Sequence, residues 1–264
     1  MRETYDTLLV EGPEEDVLLV TLNRPAAANA LNTQMGIDLL EVFGTLSADP
    51  DHCRAVVLTG AGEKAFCAGG DLKERKGMTD AAWQAQHLIF ERMARAIVEA
   101  PMPVVCAVNG SAYGGGCEIA LCCDFIYAAR GIRFALPEVT LGIMPGAGGT
   151  QNLPRAVGER RAKELLLSGK PWTAEEAEIW GMVNRVCEPG ELVADARAIA
   201  RRIADNAPIS IRQAKRSIHH GLSLSLHDGM LFEIEAYNRM VPTEDRREGI
   251  LSFNEKRKPV FKGR

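Results

Sequence analysis

The sequence predicts an α/β fold with a helical C-terminal region, and three observations carry that prediction. Short apolar, β-branched runs alternate with helix-compatible stretches through most of the first 190 residues. Several of these runs end in glycine-bearing turns. After Pro189 the composition changes to helix formers, continuing through about Asn254.

Taken in order, Val17 to Asn23 (VLLVTLN) has the unbroken apolar pattern of a buried strand and is closed by the turn Arg24-Pro25. Asn32 or Thr33 can cap a helix reaching about Leu46, since either offers an oxygen to the unpaired amides of a first helical turn. Ala55 to Thr59 (AVVLT) is a second buried strand, followed by GAGEKAFCAGGD. Between Thr79 and Glu99, the residues Trp83, His87, Ile89, Phe90, Met93, Ile97 and Val98 recur at helical spacing, and Pro101 and Pro103 stop that helix. Val104 to Val108 is a third core strand. Its end, Asn109-Gly110, leads to Gly114-Gly115-Gly116 and then to the apolar, helix-compatible CEIALCC. Phe125 to Ala128 and Ile132 to Leu136 are further short runs ahead of PEVTLGIMPGAGGTQ. Later helix starts are marked by Asn206-Ala207-Pro208 and by Thr243. The expected division is a core over residues 1–190 and a helical region over 191–264.

Composition narrows the function. With 264 residues, 46% hydrophobic and 25% charged, the chain can bury one substantial core. A net charge of −4 supplies no general attraction for a nucleic acid or an anionic membrane, so any anion must be met locally. The opening MRETYDTLLVEG lacks the basic and apolar blocks of a secretory signal, and a cytoplasmic setting is expected. The seven cysteines contain no C-x-x-C pair and read as reduced core residues. No histidine pair has metal-ligand spacing, so no metal is expected. Gly60-Ala61-Gly62 is followed by Ala65 where a dinucleotide turn needs its third glycine, and Ser111 lacks the flanking glycines of a nucleophile elbow.

Two turns remain, Cys67-Ala68-Gly69-Gly70-Asp71 and Gly114-Gly115-Gly116-Cys117-Glu118. Each follows a core strand and frees backbone N–H groups where a side chain would block approach, so together they can direct amides at one oxygen. Tight helix packing would also account for such glycines. Glu118 starts an apolar helix, and Glu138 follows Leu136-Pro137 at the end of an apolar strand. Two carboxyls bracketed by buried residues can have raised pKa values that suit proton transfer. A favourable position on the helix dipole would equally serve Glu118, and a turn would serve Glu138.

At these residues the chain resembles the crotonase, or enoyl-CoA hydratase/isomerase, superfamily. The matching segments are NRPAAANALN, AFCAGGDLKE, PVVCAVNGSAYGGGCEIALCCD, FALPEVTLGIMPGAGGTQNLPR and REGILSFNEKRKPVFKGR, so the likeness runs nearly end to end. It implies a superhelix of strand-strand-helix turns with a C-terminal helical trimerisation region, assembled as a homotrimer or a dimer of trimers. The resemblance also implies oxyanion-hole amides at Gly70 and Gly115, catalytic glutamates at Glu118 and Glu138, and a water-positioning amide at Gly146. Coenzyme A contacts are implied at Ala26, Ala28, Ala68, Asp71, Lys73, Phe253 and Lys256, the last two reaching a neighbouring subunit's ligand. Ala26 departs from the lysine that many relatives carry after Arg-Pro.

Having both glutamates favours hydration of an enoyl-CoA, with coenzyme A as part of the substrate and no separate cofactor. The resemblance also leaves open a cyclic enoyl-CoA hydratase, a carnitinyl-CoA-type dehydratase and a double-bond isomerase. RNA binding is known within the superfamily, but here the matching helix, TQMGIDLLEVFGTLSADPD, has no lysine or arginine. Met78 to Gln86, with residues of the C-terminal helices, is expected to line the acyl pocket.

Overall fold

The continuous apolar runs form the interior of one sheet. The structure, a computed structural model, describes residues 4–264. Its chain begins with β1 (Leu8–Glu14) and β2 (Val17–Leu22), followed by α1 (Thr33–Ala48), which Asn32 caps by accepting from the Met35 amide. Three strand-strand-helix turns follow. The first is β3 (Ala55–Gly60), β4 (Ala65–Cys67), the short α2 (Leu72–Arg75) and α3 (Asp80–Val98). The second is β5 (Val104–Val108), β6 (Ser111–Tyr113) and α4 (Gly115–Cys122). The third is β7 (Phe125–Ala129), β8 (Arg133–Ala135), a 3-10 turn at Glu138–Leu141, α5 (Gly149–Val157) and α6 (Glu159–Ser168). The chain then passes through β9 (Trp172–Thr173), α7 (Ala174–Ile179) and β10 (Arg185–Cys187) to α8 (Leu192–Ala204), α9 (Pro208–Gly221), α10 (Leu226–Asn238) and α11 (Glu244–Glu255).

Each turn gives one strand to each of two sheets. The larger has the order β1-β2-β3-β5-β7-β10 and the smaller β4-β6-β8-β9. Among the described residues, only the β1–β2 and β8–β9 pairings are antiparallel. Strands β2, β3 and β5 are buried along their whole length, which explains why they read as unbroken rather than alternating apolar runs. Leu18, Val20, Val56, Leu58, Val104 and Cys106 face one core with Phe43 of α1 and Met93 of α3. Val17, Leu19, Val57 and Val105 face the other side, where α8 packs Leu192, Ala196, Ala200 and Ala204 against them. The small side chains at four-residue spacing let α8 lie close to the sheet. Alone among the four C-terminal helices, α8 therefore completes the core.

Helices α9 to α11 bury much less. Leu222, Leu226, Met230, Leu231, Ile234 and Phe253 are exposed, forming an apolar set that a single chain leaves uncovered. The chain end is nevertheless held: buried Asp245 accepts from the amides of Lys262 at 2.6 Å and Gly263 at 2.8 Å. No helix among the described residues is long and apolar enough to cross a membrane.

The seven cysteines are free thiols, and six of them are buried. Burial pushes the Cys67 thiol up to about 11 and Cys53 up to about 12, as expected for inert core residues. Sequence patterning does not reveal β1, whose outer half is the exposed GPE, nor β4, β6 and β9 of the smaller sheet, whereas β8 falls within the run Ile132 to Leu136. Such pieces are too short to display a period.

Candidate active site

The parallel register of β4 and β6, with Cys67 opposite Ala112, brings the two glycine turns side by side. Their backbones interlock. A β-carbon on Gly69, whose φ is +94°, would stand 2.8 Å from the Tyr113 carbonyl oxygen, and one on Gly116 would stand 2.2 Å from that of Cys67. One on Gly115 would stand 3.8 Å from the Gly70 nitrogen, so the two expected oxyanion-hole residues are neighbours. Leu31 fixes the first turn by donating to the Gly69 carbonyl at 2.8 Å and accepting from the Asp71 amide at 2.9 Å. The Gly70 N–H between these bonds has no acceptor among the described residues. Gly115 opens α4, where a helix leaves its first amides unpaired.

These turns form one wall of a cleft of about 770 Å³ that both glutamates also line. Glu118, in the first turn of α4, is buried, and its Oε1 accepts from the amides of Ala147 at 2.7 Å and Gly149 at 2.9 Å. Burial raises its pKa, while the amides of Gly149, Ala147 and Gly146 hold the rise down. Glu138 begins the 3-10 turn, and its Oε1 lies 3.2 Å from the site of a β-carbon on Gly114. Its Oε2 is buried with no hydrogen-bond partner among the described residues. Burial pushes this carboxyl up to about 7, and the charge of Glu118 adds in the same direction. Gly146 lies in the same cleft, with His87 against it.

The proposed coenzyme A contacts fall into two groups. Ala28, in the left-handed region, accepts from the Ala68 amide at 3.1 Å, and Ala26 lies exposed in the preceding 3-10 turn. Asp71 is nearby but its carboxylate is already engaged, pairing with Arg24 at 3.0 Å and capping α2 through the amides of Lys73 and Glu74. Lys73 is exposed. Phe253 and Lys256 lie on and just beyond α11 and do not line the cleft of their own chain.

The acyl-pocket expectation requires correction. Of residues 78–86 only Trp83 lines the cleft, and the C-terminal helices contribute none of its lining within one chain. The helical repeat of α3 aims Trp83, His87 and Phe90 at the cleft, while α2 supplies Leu72 and Arg75. Sequence reading identified His87 as part of the apolar stripe of α3 without giving it a role. Arg75 stands inside the charge run LKERK, which gives no sign that one member turns inward.

Residues 12–264 match the family model for enoyl-CoA hydratase/isomerase. The chain is 46% identical to YngF of Bacillus subtilis over 258 residues, covering 98% of this chain and 99% of that one. It is 42% identical to the short-chain-enoyl-CoA hydratase of Clostridium acetobutylicum, covering 93% of this chain and 94% of that one. The crystal structure of an enoyl-CoA hydratase from Bacillus anthracis superposes with a TM-score of 0.96 at 41% identity, covering 98% of this chain and all of that one. With the glycine turns and both glutamates on one cleft and a match running from residue 12 to the last residue, this chain belongs to the enoyl-CoA hydratase/isomerase family.

Proposed function

We propose that the protein is an enoyl-CoA hydratase, a hydro-lyase that reversibly adds water across the 2,3 double bond of an enoyl-CoA thioester. The observation that carries this reading is the convergence of Glu118 and Glu138 on one cleft beside the Gly70 and Gly115 amides. The thioester carbonyl accepts from these two amides, which strengthens its pull on the double bond. Glu118, as carboxylate, takes a proton from water while the water oxygen bonds to C3. The π electrons move to C2 and the thioester oxygen, where the amides stabilise the enolate-like charge. Glu138, as carboxylic acid, gives its proton to C2. Proton exchange with solvent then restores both groups. Dehydration runs the same steps backwards. The amide of Gly146 helps hold the water beside Glu118.

Coenzyme A crosses the rim formed by Ala26, Ala28, Ala68, Asp71 and Lys73. Backbone groups there take the place of the lysine missing at Ala26. Residues 1–190, with α8 packed on their sheet, serve as the catalytic core, and the rest of residues 191–264 as the assembling region. The exposed apolar side chains of α9 to α11 support a homotrimer or a dimer of trimers, in which Phe253 and Lys256 reach a neighbour's ligand. No separate cofactor or metal is required by this chemistry, and a cytoplasmic setting fits it.

Following the loss of conjugated absorbance of short, branched and cyclic enoyl-CoA thioesters tests this reading. Hydration of at least one class is the expected result. Double-bond migration without hydration would replace hydratase with isomerase.

A further inference from the structure

The cleft contains a cation that the hydration chemistry does not use. Arg75 is half-buried at the end of α2, with its guanidinium 4.3 Å from the Trp83 ring centroid and 5.7 Å from that of Phe90. Its Nε donates to Gln86 Oε1 at 2.9 Å. Gln86 is itself buried, and its amide nitrogen donates to Thr33 Oγ1 at 2.8 Å and to Glu74 Oε2 at 2.7 Å. These bonds fix which end of Gln86 faces Arg75, so the guanidinium is held by stacking on one side and by an oriented amide on the other. Nη1 and Nη2 lie 3.1 and 3.6 Å from the site of a β-carbon on Gly70. They are therefore directed at the reaction space, beside an oxyanion-hole amide. Neither terminal nitrogen has a hydrogen-bond acceptor or ion-pair partner among the described residues. The charges of Glu74 and Glu118 act on Arg75 from a distance, but neither carboxylate forms an ion pair with it, and Glu74 Oε2 accepts instead from Gln86 and from the Thr33 amide at 2.9 Å.

These charges offset part of the desolvation of Arg75 but leave both terminal nitrogens without a contacting acceptor, and a planar fork of donors matches a carboxylate best. An unsubstituted alkyl chain would gain nothing from it. Resting on the hydratase reading, we infer that Arg75 selects enoyl-CoA substrates carrying a second carboxylate at the far end of a short acyl chain. The proximity to Gly70 limits the spacing. With the thioester oxygen on the Gly70 and Gly115 amides, a chain of about five carbons folds its terminal carboxylate back to Nη1 and Nη2, whereas a long chain would carry it past them. Gln86 is a positioning residue in this arrangement, acting through Arg75.

The test compares two thioesters of equal length, trans-2-pentenedioyl-CoA and trans-2-pentenoyl-CoA, on the wild-type protein and on Arg75→Met. The wild type is expected to hydrate the acid with the higher kcat/KM. In Arg75→Met the acid-to-neutral ratio should fall about 30-fold or more, the scale of removing one partner of a desolvated charge pair. Arg75→Lys should restore only part of that ratio. A wild-type ratio of one or below would overturn the proposal. So would an equal loss on both thioesters, which would mean that Arg75 only balances the cleft's own glutamates. Affinity for the saturated pair, pentanedioyl-CoA and pentanoyl-CoA, gives a readout independent of turnover. Preference for the acid that disappears in Arg75→Met, in a protein that hydrates neither enoyl thioester, would uphold the carboxylate site and reject the hydratase reading.

Discussion

Ala147 donates its amide hydrogen to Glu118 Oε1 across 2.7 Å, tying the first turn of α4 to the loop before α5. Together with the bond from Gly149 it fixes the direction of this carboxylate within the cleft. A glutamine at position 118 keeps an oxygen for those amides but cannot take up a proton.

Glu118→Gln and Glu138→Gln should each lower kcat by about 10²–10⁴-fold, the usual contribution of a positioned acid or base, with KM changed little. Steady-state rates on the best enoyl-CoA provide the check. A large rise in KM with kcat intact would contradict the assigned roles.

The two glutamates should impose opposite limbs on the pH profile of hydration. Glu138 must be protonated to supply C2, and burial sets its carboxyl at about 7, so the hydration rate should fall as pH rises through that value. Dehydration of the 3-hydroxyacyl thioester draws on the same singly protonated pair, with the proton on Glu118 instead of Glu138, so its kcat/KM should follow the same profile. Glu118 must be ionised for hydration, and its burial should carry the acidic limb above the ordinary 4.5. Forward and reverse rates measured from pH 5 to 9 decide this.

Stability should respond to Glu138 in a definite direction. Its folded-state value of about 7 exceeds the ordinary 4.5, so the folded protein holds this proton more tightly than the unfolded chain. That contribution is fully present below about pH 4.5 and is lost as the pH rises through about 7. Glu138→Gln should therefore melt about 2–6 °C above the wild type at pH 8, after allowance for solvent at the cleft mouth, and show no gain at pH 4.5. Thermal melts at the two pH values would show it.

A β-carbon on Gly146 would fall 2.2 Å from His87 Nε2, the far end of a side chain that can swing away. Gly146→Ala should lower kcat/KM by about 10–100-fold by displacing His87 within the cleft. In a His87→Ala background the same substitution should have almost no further effect. Four rate measurements complete this double-mutant cycle, and additive losses would disprove the coupling.

The exposed apolar side chains of α10 and α11 should be covered in the assembly. Ile234→Asp or Phe253→Asp is expected to shift the mass measured by light scattering towards that of one chain. An unchanged oligomer with both substitutions would remove these helices from the interface.

Much of this architecture is legible in the residues. The runs VLLVTL, AVVLT and VVCAV, together with the prolines after Glu99, define the central sheet and the end of α3 because complete burial and helix termination leave strong local patterns. Strands such as Trp172–Thr173 leave none, because their pairing is decided by distant partners. The glycine turns and both glutamates are visible as motifs, and the family resemblance supplies roles for them. Arg75 was illegible: an inward guanidinium and an outward one have the same local sequence, and what turns this one is Gln86, eleven residues on, with Trp83 beneath it.

The contact between Gly116 and the Cys67 carbonyl bears on how freely this sequence can vary. A saturation library at position 116 should return glycine alone, because even a methyl group would occupy the same space as main chain from another layer. Gly44, in α1, has nothing within 4 Å of its missing β-carbon, so alanine there should be accepted and should stabilise the helix by about 1 kcal/mol. One glycine is thus an immovable joint of the catalytic centre and the other a vacancy open to engineering.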